Sequence, residues 1–173
     1  MRLVDCTHAR HAEAILAILN DAIVTSTALY DYEPRSTESM VAWFEAKRSR
    51  GFPVVGAEDE QGRLLGFATY GTFRAWPAYK YSVEHSVYVH EDHRGHGVGV
   101  ELMKRLIESA TENDVHAMIA GIDVKNAASI ALHERLGFQH AGTLREVGFK
   151  FARWLDLAFY QLILPTPESP TDG

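Results

Sequence analysis

A basic, glycine-rich turn lies near the middle of this 173-residue chain, in the segment Arg94-Gly-His-Gly-Val-Gly-Val100. Glycine has no side chain, so the backbone can approach a ligand closely and adopt conformations that other residues resist. The helix predicted to follow would point its unpaired N–H groups back at the turn, and a helix N-terminus carries about +0.5 of an elementary charge. Such a terminus suits a phosphate group. The turn therefore predicts a diphosphate-binding site.

Three kinds of nucleotide site use glycines in this way. A Walker-type loop requires Lys-Ser or Lys-Thr after the glycines, and neither pair follows them in this sequence. A dinucleotide fingerprint requires Gly-x-Gly-x-x-Gly after a first strand, whereas the spacing from Gly95 is Gly-x-Gly-x-Gly in mid-chain. The third pattern, Arg/Gln-x-x-Gly-x-Gly/Ala, is met by Arg94, Gly97 and Gly99 and resembles the acetyl-coenzyme A loop of the GNAT family of N-acetyltransferases. A helix start that needs glycines only to turn is the structural alternative.

A carboxylate interrupts the apolar segment before the turn, in Val83-Glu-His-Ser-Val-Tyr-Val89. Strand alternation would place Glu84 and Ser86 on the opposite face from His85. Burying a carboxylate in so apolar a strand costs free energy unless the group is paired or has a function. A structural salt bridge is one explanation for Glu84. Acyl transfer to an amine is the other, because an ammonium group must lose a proton before it attacks. Glu84 with a raised pKa can accept that proton, directly or through water, and we predict it as the general base.

A second motif follows about thirty residues later, in Asn126-Ala-Ala-Ser-Ile-Ala-Leu-His-Glu-Arg-Leu-Gly-Phe138. Asn126 begins a predicted helix, so its side chain can cap that helix or reach a ligand amide. The segment resembles the second cofactor-binding segment of the GNAT family, which implies that Asn126 and Ser129 contact the pantetheine arm or phosphates of acetyl-CoA. His133 stands where many members carry a tyrosine that protonates the departing thiolate. Imidazole can give a proton near neutral pH, so we expect a general acid here, with a histidine packed between helix and sheet as the alternative.

The resemblance also implies a role for backbone groups on the strand before the turn. In the family, the backbone at the positions of Val87, Tyr88 and Val89 pairs with pantetheine, and one N–H polarises the thioester carbonyl. Together with the turn, this gives the predicted acetyl-CoA contacts Val87, Tyr88, Val89, Arg94, Gly95, His96, Gly97, Val98, Gly99 and Val100.

The acceptor side is indicated by an arginine among aromatic residues in Phe73-Arg-Ala-Trp-Pro-Ala-Tyr-Lys-Tyr81. Guanidinium binds carboxylate bidentately, which suits a small anionic acceptor, although a solvated surface arginine has the same sequence signature. Val83–Val89, Leu132-His-Glu134 and Val147–Asp156 resemble the phosphinothricin and methionine sulfoximine acetyltransferase branch, over residues 2 to 164. That branch acetylates the α-amino group of small amino-acid analogues. The resemblance implies acceptor contacts from Arg74, Ala75, Trp76, Glu84, His85 and Ser86, with Lys150 near the pocket or a dimer seam.

The branch resemblance implies a homodimer, because its members are commonly homodimers whose pockets lie close to the subunit interface. Trp76 departs from the arginine found here in some phosphinothricin enzymes, so the exact acceptor is left open. Two other functions also stay open. One is a GNAT enzyme acting on a protein N-terminus, a lysine or a polyamine, and the other is a non-catalytic acetyl-CoA sensor.

The elements that must position these residues form a regular pattern. Alternating and helical periodicities predict an α/β fold (an α+β mixed sheet) with about seven strands and with helices on both faces of the sheet. These elements are predicted to form a single domain over residues 1–164. The tail at 165–173 is rich in Pro, Thr, Ser and acidic residues and is predicted to be disordered. Predicted strands cover 3–6, 53–58, 63–70, 83–90, 115–122, 138–147 and 154–164, and predicted helices cover 10–23, 36–48, 97–112 and 126–136.

The composition is that of an ordinary globular protein. A net charge of −6 and a pI near 5.8 give no general reason to attract nucleic acid or an anionic membrane. The single Cys6 has no internal disulfide partner, and we predict no metal site. The N-terminus has no apolar run of signal-peptide type, so we expect a cytoplasmic protein.

Overall fold

The computed structural model describes residues 1–172, and within them the chain forms seven β-strands in one mixed sheet and four α-helices. The strands are β1 (Arg2–Asp5), β2 (Val54–Glu58), β3 (Leu64–Thr72), β4 (Ser82–Val89), β5 (Ala117–Asp123), β6 (Gln139–Lys150) and β7 (Arg153–Ile163). The helices are α1 (His8–Thr25), α2 (Ser39–Ser49), α3 (Val98–Glu112) and α4 (Ala127–Arg135). The order across the sheet is β1-β2-β3-β4-β5-β7-β6, with β4 and β5 parallel.

The mixed sheet predicted from the sequence is confirmed, and each predicted strand and helix is present with shifted bounds. Helix α2 begins at Ser39 instead of 36, because the carbonyl of Ser36 accepts hydrogen bonds from both the N–H and the hydroxyl of Ser39 in a turn. Strand β6 runs on to Lys150 past the predicted end at 147. It does so across a register irregularity that includes Glu146 at φ +52°. Gly137 follows the C-cap residue of α4 at φ +90°, the left-handed conformation that glycine commonly adopts after a helix.

Residue contacts group the chain into two compact units, one of residues 1–70 with 86–106 and the other of residues 71–85 with 107 onward. In the first unit, α1, α2, β2 and β3 share one apolar core. Its buried members are Ile15, Ile18, Leu19, Met40, Val54, Leu64 and Phe67. The single domain predicted over 1–164 stays a prediction.

A fully buried carboxylate joins three elements of the first unit. Glu58, at the end of β2, accepts hydrogen bonds from Arg2 Nη2 of β1 at 2.6 Å and from Arg10 Nη2 of α1 at 3.0 Å. His11 Nδ1 accepts from the Thr7 N–H at 2.9 Å, so its Nε2 carries the proton that is donated to Glu58 at 3.0 Å. The N-terminus of α1 is thus held by an imidazole ring, and the Thr7 hydroxyl makes no capping bond.

In the second unit, β5, β7 and β6 form an antiparallel sheet. β6 and β7 are joined by a two-residue turn in which Phe151 and Ala152 have φ of +50° and +55°. Large apolar side chains of this hairpin are exposed to solvent and define the β6–β7 apolar surface: Leu144, Val147, Phe149, Phe151, Trp154 and Ile163.

Residues 165–172 form neither helix nor strand, but they make hydrogen bonds within the second unit. The Thr166 hydroxyl donates to the Val115 carbonyl at 2.6 Å, and the Thr171 N–H donates to the Tyr81 hydroxyl at 3.1 Å. The disorder predicted for 165–173 stays a prediction, and Gly173 lies outside the described residues. Within residues 1–172, no helix is both long and apolar enough to cross a bilayer.

Candidate functional site

The glycine turn of the first unit forms an open cradle before α3. Gly95 and Gly97 have φ of +79° and +82°, and a Cβ added to either would meet no atom within 4 Å. The N–H groups of Val100 and Glu101 both donate to the Gly97 carbonyl, which accepts the first hydrogen bonds of the helix. The N–H groups before them have no partner within the helix and are available to a ligand. The turn therefore has the shape and polarity that a phosphate group requires.

Arg94 is fixed in place by its own neighbours. Its Nη2 donates to Asp21 Oδ2 of α1 at 3.1 Å, and its Nε donates to the Val89 carbonyl at 3.1 Å. The Asp21 carboxylate neutralises part of the positive charge of Arg94. The sequence alone would suggest that the whole of this charge is available to attract phosphate. Arg94 therefore braces the turn against α1 and the end of β4, while its half-exposed side chain still faces solvent.

The end of β4 lies against an unusually small residue of β3. A Cβ on Gly66 would meet the Tyr88 carbonyl oxygen at 2.7 Å and the Val89 Cα at 3.1 Å, so the two backbones need glycine there. The Tyr88 ring packs on Phe67, with the ring centroids 5.4 Å apart. Val87, Tyr88 and Val89 are each half-buried.

Glu84 of the second unit presents its carboxylate to an open face. Its neighbour on β5 is Gly121, where an added Cβ would lie 3.3 Å from Glu84 Oε1. Solvent reaches the side chain, but the surrounding protein atoms remove part of its hydration and raise the pKa of Glu84, and the positive charge of Arg74 opposes that rise. Among the described residues no donor is hydrogen-bonded to the carboxylate, so the structural salt bridge considered for Glu84 is not formed in close contact.

The loop before β4 is exposed where the sequence predicts acceptor contacts. Arg74 and Ala75 are both exposed, and Trp76 is 74% exposed. The Arg74 guanidinium lies 5.2 Å from the Phe73 ring centroid, which leaves its donors free to meet an anion. Arg74 is also the charge that acts on Glu84, so a cation and a carboxylate share the same local environment. Ser86 of β4 is half-buried.

His85 points to the other face of β4 from Glu84. It is 5% exposed, and its Nε2 lies 2.9 Å from His133 Nε2 of α4. Both rings contact Phe138, with ring centroids 5.1 Å away in each case. Glu84 and His85 point away from each other because successive side chains of a strand lie on opposite faces of the sheet. The structure therefore does not bring His85 and Glu84 together, although both were predicted to meet the acceptor.

His133 is buried and bonded to its own helix. Its Nδ1 donates to the Ser129 carbonyl at 2.7 Å. Burial lowers the pKa of the ring, and the hydrogen bond to Ser129 partly opposes that fall. The Ser129 N–H donates to Asn126 Oδ1 at 3.1 Å, which confirms Asn126 as the cap of α4. The Nδ2 amino group of the Asn126 amide is then left for a ligand. The predicted acid of the reaction is thus packed between helix and strand, as in the structural alternative.

Lys150 lies at the end of β6, next to the two-residue turn. It is 4% exposed, and its Nζ lies 5.1 Å from the centroid of the Phe151 ring. The ammonium group therefore lies against the ring of the turn residue Phe151.

Two residues that the sequence did not single out act on the predicted ones. Gly121 makes room for the Glu84 carboxylate, and Asp21 pairs with Arg94. A glycine within a strand is a general signal of close approach, but it does not say which distant residue comes close, so Gly121 could not be linked to Glu84 from the sequence. Asp21 lies 73 residues from Arg94 in an ordinary amphipathic helix, and nothing in the local sequence marks it. Among residues 1–172, no group of three or more His, Cys, Asp or Glu side chains is arranged to hold a metal ion.

Comparison with known proteins gives matches over most of the chain. Residues 16–138 match the Acetyltransferase (GNAT) family. The L-methionine sulfoximine/L-methionine sulfone acetyltransferase of Pseudomonas paraeruginosa is 48% identical over 157 residues, which cover 90% of this chain and 91% of that protein. The L-amino acid N-acyltransferase MnaT of Escherichia coli is 41% identical over 169 residues, covering 98% and 94% of the two chains.

Among solved structures, the GNAT superfamily phosphinothricin acetyltransferase of Sinorhizobium meliloti, in complex with AcCoA, superposes with a TM-score of 0.93. That chain is 36% identical, and the superposition covers 99% of this chain and 94% of that one. These matches confirm the resemblance drawn from the glycine turn and the Asn126 motif. The chain belongs to the GNAT family of acetyltransferases.

Proposed function

We propose that this chain transfers the acetyl group of acetyl-CoA to the α-amino group of a small amino-acid analogue of the L-methionine sulfoximine, methionine sulfone or phosphinothricin type. The observation that carries the proposal is Glu84, an exposed carboxylate with a raised pKa beside a glycine and under the charge of Arg74. The names of the relatives support the acceptor class, since they act on methionine sulfoximine, methionine sulfone or L-amino acids.

The cofactor contacts are proposed from the segments that match the family. The open turn of Arg94, Gly95, His96, Gly97, Val98, Gly99 and Val100 would hold phosphate groups, and the backbone of Val87, Tyr88 and Val89, with the side chains of Asn126 and Ser129, would hold the pantetheine arm. When bound, acetyl-CoA supplies the acetyl group as a thioester. The free N–H groups of the turn and the Nδ2 group of Asn126 have the polarity that these parts of acetyl-CoA require.

The chemistry proposed for the chain's own residues is proton removal and orientation. Glu84 accepts a proton from the acceptor ammonium, directly or through water, and a raised pKa suits a base that works near neutral pH. Arg74 is proposed to pair with the acceptor carboxylate, and by the resemblance Ala75, Trp76 and Ser86 would also contact the acceptor, with Lys150 near the acceptor or at a dimer seam. No covalent acyl-enzyme is part of the proposal, because burial and nearby carboxylates raise the pKa of the Cys6 thiol to about 12.

The assembly and location follow from the same resemblance. We propose a homodimer in the cytoplasm that has no nucleic-acid, membrane or metal partner. The alternatives are a GNAT enzyme for a protein N-terminus, a lysine or a polyamine, and a non-catalytic acetyl-CoA sensor. The exposed Arg74 favours an anionic acceptor over a polyamine, because like charges repel.

The first experiment is a thiol-release assay with acetyl-CoA and a panel of amines that includes L-methionine sulfoximine, methionine sulfone, phosphinothricin, a lysine peptide and spermidine. We expect selective turnover with one of the first three. Turnover only with the peptide or spermidine would replace the acceptor class. No turnover with any amine, while acetyl-CoA still binds in calorimetry, would favour the sensor.

Glu84→Gln tests the base directly. Removing a general base costs about 10²–10⁴-fold in turnover, and the carboxylate is not proposed to touch acetyl-CoA. We expect kcat to fall in that range with the dissociation constant of acetyl-CoA almost unchanged. Glu13→Gln, the same change at an exposed position of α1, serves as the control. Equal losses of binding and turnover in Glu84→Gln would remove the base assignment.

A further inference from the structure

We propose that His85 is a positioning residue that fixes His133 as a neutral ring with its proton on Nδ1, and that the pair joins β4 to the first turn of α4. The inference rests on the proposed function, because it assigns a role in holding the acetyl-CoA contacts of α4. It also replaces the general-acid role that the sequence suggested for His133.

The direction of each hydrogen bond follows from one carbonyl. The Ser129 carbonyl oxygen can only accept, so His133 Nδ1, 2.7 Å away, must carry a proton. In the neutral ring His133 Nε2 is then an acceptor. His85 Nε2 lies 2.9 Å from it and must be the donor, because two acceptors at this distance would repel. His85 therefore carries its proton on Nε2 and a lone pair on Nδ1.

The surroundings of the pair favour two neutral rings. Burial, together with the His133 ring, lowers the pKa of His85 to about 3, and the Ile119 backbone opposes that fall. Among the described residues no group lies in hydrogen-bond geometry with His85 Nδ1. Phe138 covers both rings, and His133 is the ionisable group that acts on His85. An imidazolium here would be a buried charge with no counter-ion.

Both ring nitrogens of His133 are therefore engaged in hydrogen bonds. Its N–H is donated to a backbone carbonyl, and its other nitrogen receives a proton from His85. A ring in this state holds no proton in a position to be given to a leaving thiolate. It instead ties the first turn of α4, where Asn126 caps the Ser129 N–H, to the strand position next to Glu84.

Long-range ¹H–¹⁵N NMR of the full chain labelled with ¹⁵N-histidine tests the tautomers directly, because the two neutral forms give different coupling patterns. We expect the Nδ1–H form for His133 and the Nε2–H form for His85 at pH 6, 7 and 8. The exposed His96 serves as the reference in the same spectra. An Nε2–H form or an imidazolium at His133 would overturn the proposal. This measurement uses the unmodified protein, so it does not depend on whether a variant folds.

Kinetics then separates positioning from proton transfer. His85→Gln keeps an N–H donor at the Nε2 position, so we expect KM for acetyl-CoA within about threefold of the parent value. His85→Leu removes the donor, and we expect KM to rise roughly tenfold with kcat changed less than about threefold. A fall in kcat with an altered alkaline limb of the kcat–pH profile in His85→Leu would overturn the proposal, since that is the signature of a disturbed acid.

The two failures are distinguishable by the acetyl-CoA dissociation constant from calorimetry, which requires no turnover. If the chain turned over none of the amines, the proposed function would fail, yet His85→Leu would still be expected to weaken acetyl-CoA binding about tenfold. Unchanged binding in His85→Leu would overturn the positioning role even in an active enzyme.

Discussion

At the scale of single residues, Glu84 depends on a neighbour with no side chain. Gly121 lies on the adjacent parallel strand, and an added Cβ would stand 3.3 Å from Glu84 Oε1 and from Leu157 Cδ1. A Cβ contact of 3.3 Å is tighter than usual, so the carboxylate or the Leu157 side chain would have to shift by a few tenths of an ångström. Misplacing a reacting group by about 1 Å can cost about 10²-fold in rate, so a smaller shift of the proposed base should cost less but still be measurable.

We therefore predict that Gly121→Ala lowers kcat at least several-fold while the affinity for acetyl-CoA is retained. Gly56→Ala is the control for a loss of stability alone, because its Cβ would meet Cys6 Sγ at 2.5 Å and Leu64 Cδ1 at 2.9 Å, in the first unit. Both variants should be compared at equal folded fraction by circular dichroism. A kcat for Gly121→Ala equal to that of Gly56→Ala would show that Glu84 does not need this space.

If Glu84 is the base, as proposed, Arg74 is predicted to set the acidic limb of activity. The base works when it is deprotonated, and burial raises the pKa of Glu84 while the Arg74 charge lowers it. Removing the charge in Arg74→Gln lets that pKa rise further, so a smaller fraction of the base is ionised at a given acidic pH. We predict that the acidic limb of kcat/KM moves to higher pH, with a loss several-fold larger at pH 6 than at pH 8.

Lys80→Gln is the control for that shift. It removes the same charge from the same loop, but its Nζ lies over the Tyr81 ring and does not act on Glu84. Its acidic limb should stay in place in the same pH series. A limb that moved to lower pH in Arg74→Gln, or moved equally in both variants, would contradict the assigned interaction.

The sequence was sufficient for some of these residues and insufficient for others. Glu84 was predictable because a carboxylate in an alternating apolar strand is conspicuous, and the Asn126 cap was predictable because capping is local. The partners Gly121 and Asp21 depend on pairings between segments distant in sequence, which no local pattern records. The His85–His133 contact, 48 residues apart, is of the same kind.

At the scale of elements, the β6–β7 hairpin turns through two residues in an unfavourable conformation. Phe151 and Ala152 both have φ near +50°, the arrangement of a type I′ turn, in which glycine or asparagine is usual. A left-handed conformation costs a residue with a Cβ about 1–2 kcal/mol. The turn is retained because the strands on either side, of 12 and 11 residues, are paired along most of their length.

Ala152→Gly should therefore stabilise the protein by about 0.5–1 kcal/mol, because glycine accepts positive φ without steric cost. Ala46→Gly, at an exposed position of helix α2, should destabilise by a similar amount, since glycine is a poor helix former. Chemical denaturation monitored by tryptophan fluorescence gives both free energies of unfolding. A loss of stability in Ala152→Gly would contradict the assigned turn conformation.

Elements with a strong period were predictable, whereas their ends and their neighbours in the sheet were not. The apolar stripe of α3 and the alternation in β4 gave the right type of element. The end of β6 was missed because its register shifts between Leu144 and Gly148, where the alternation is interrupted. The placement of β5 between β4 and β7 follows from tertiary packing and has no signature in the sequence.

At the scale of the whole molecule, the β6–β7 apolar surface is the feature that bears on assembly. Its six side chains are each between 46% and 59% exposed, on a hairpin whose strand β6 ends the sheet. Among them, Phe149 and Trp154 are paired across the two strands, with their ring centroids 5.1 Å apart. Exposed apolar patches often mark interaction sites. We assign this surface to the proposed homodimer.

Trp154→Arg should weaken the dimer at least tenfold, because a charge would be buried in an apolar contact. Val41→Arg, which places the same charge at an exposed apolar position of α2, should leave the association unchanged. Sedimentation velocity over a range of concentrations measures both. A dimer in Trp154→Arg as stable as the parent would place the interface elsewhere, and a monomeric parent would remove the dimer proposal.

The buried Glu58 of the first unit has a consequence for how the chain can vary in evolution. Hydrogen bonds from Arg2 and His11 lower the pKa of its carboxyl, so it is an anion that depends on cations or donors from β1 and α1. Loss of the carboxylate alone would leave His11 Nε2 without an acceptor in the interior, and loss of Arg2 or His11 alone would leave a buried charge short of partners. Positions 2, 10, 11 and 58 are thus expected to be exchanged as a set among relatives, although they are unremarkable when each is considered separately.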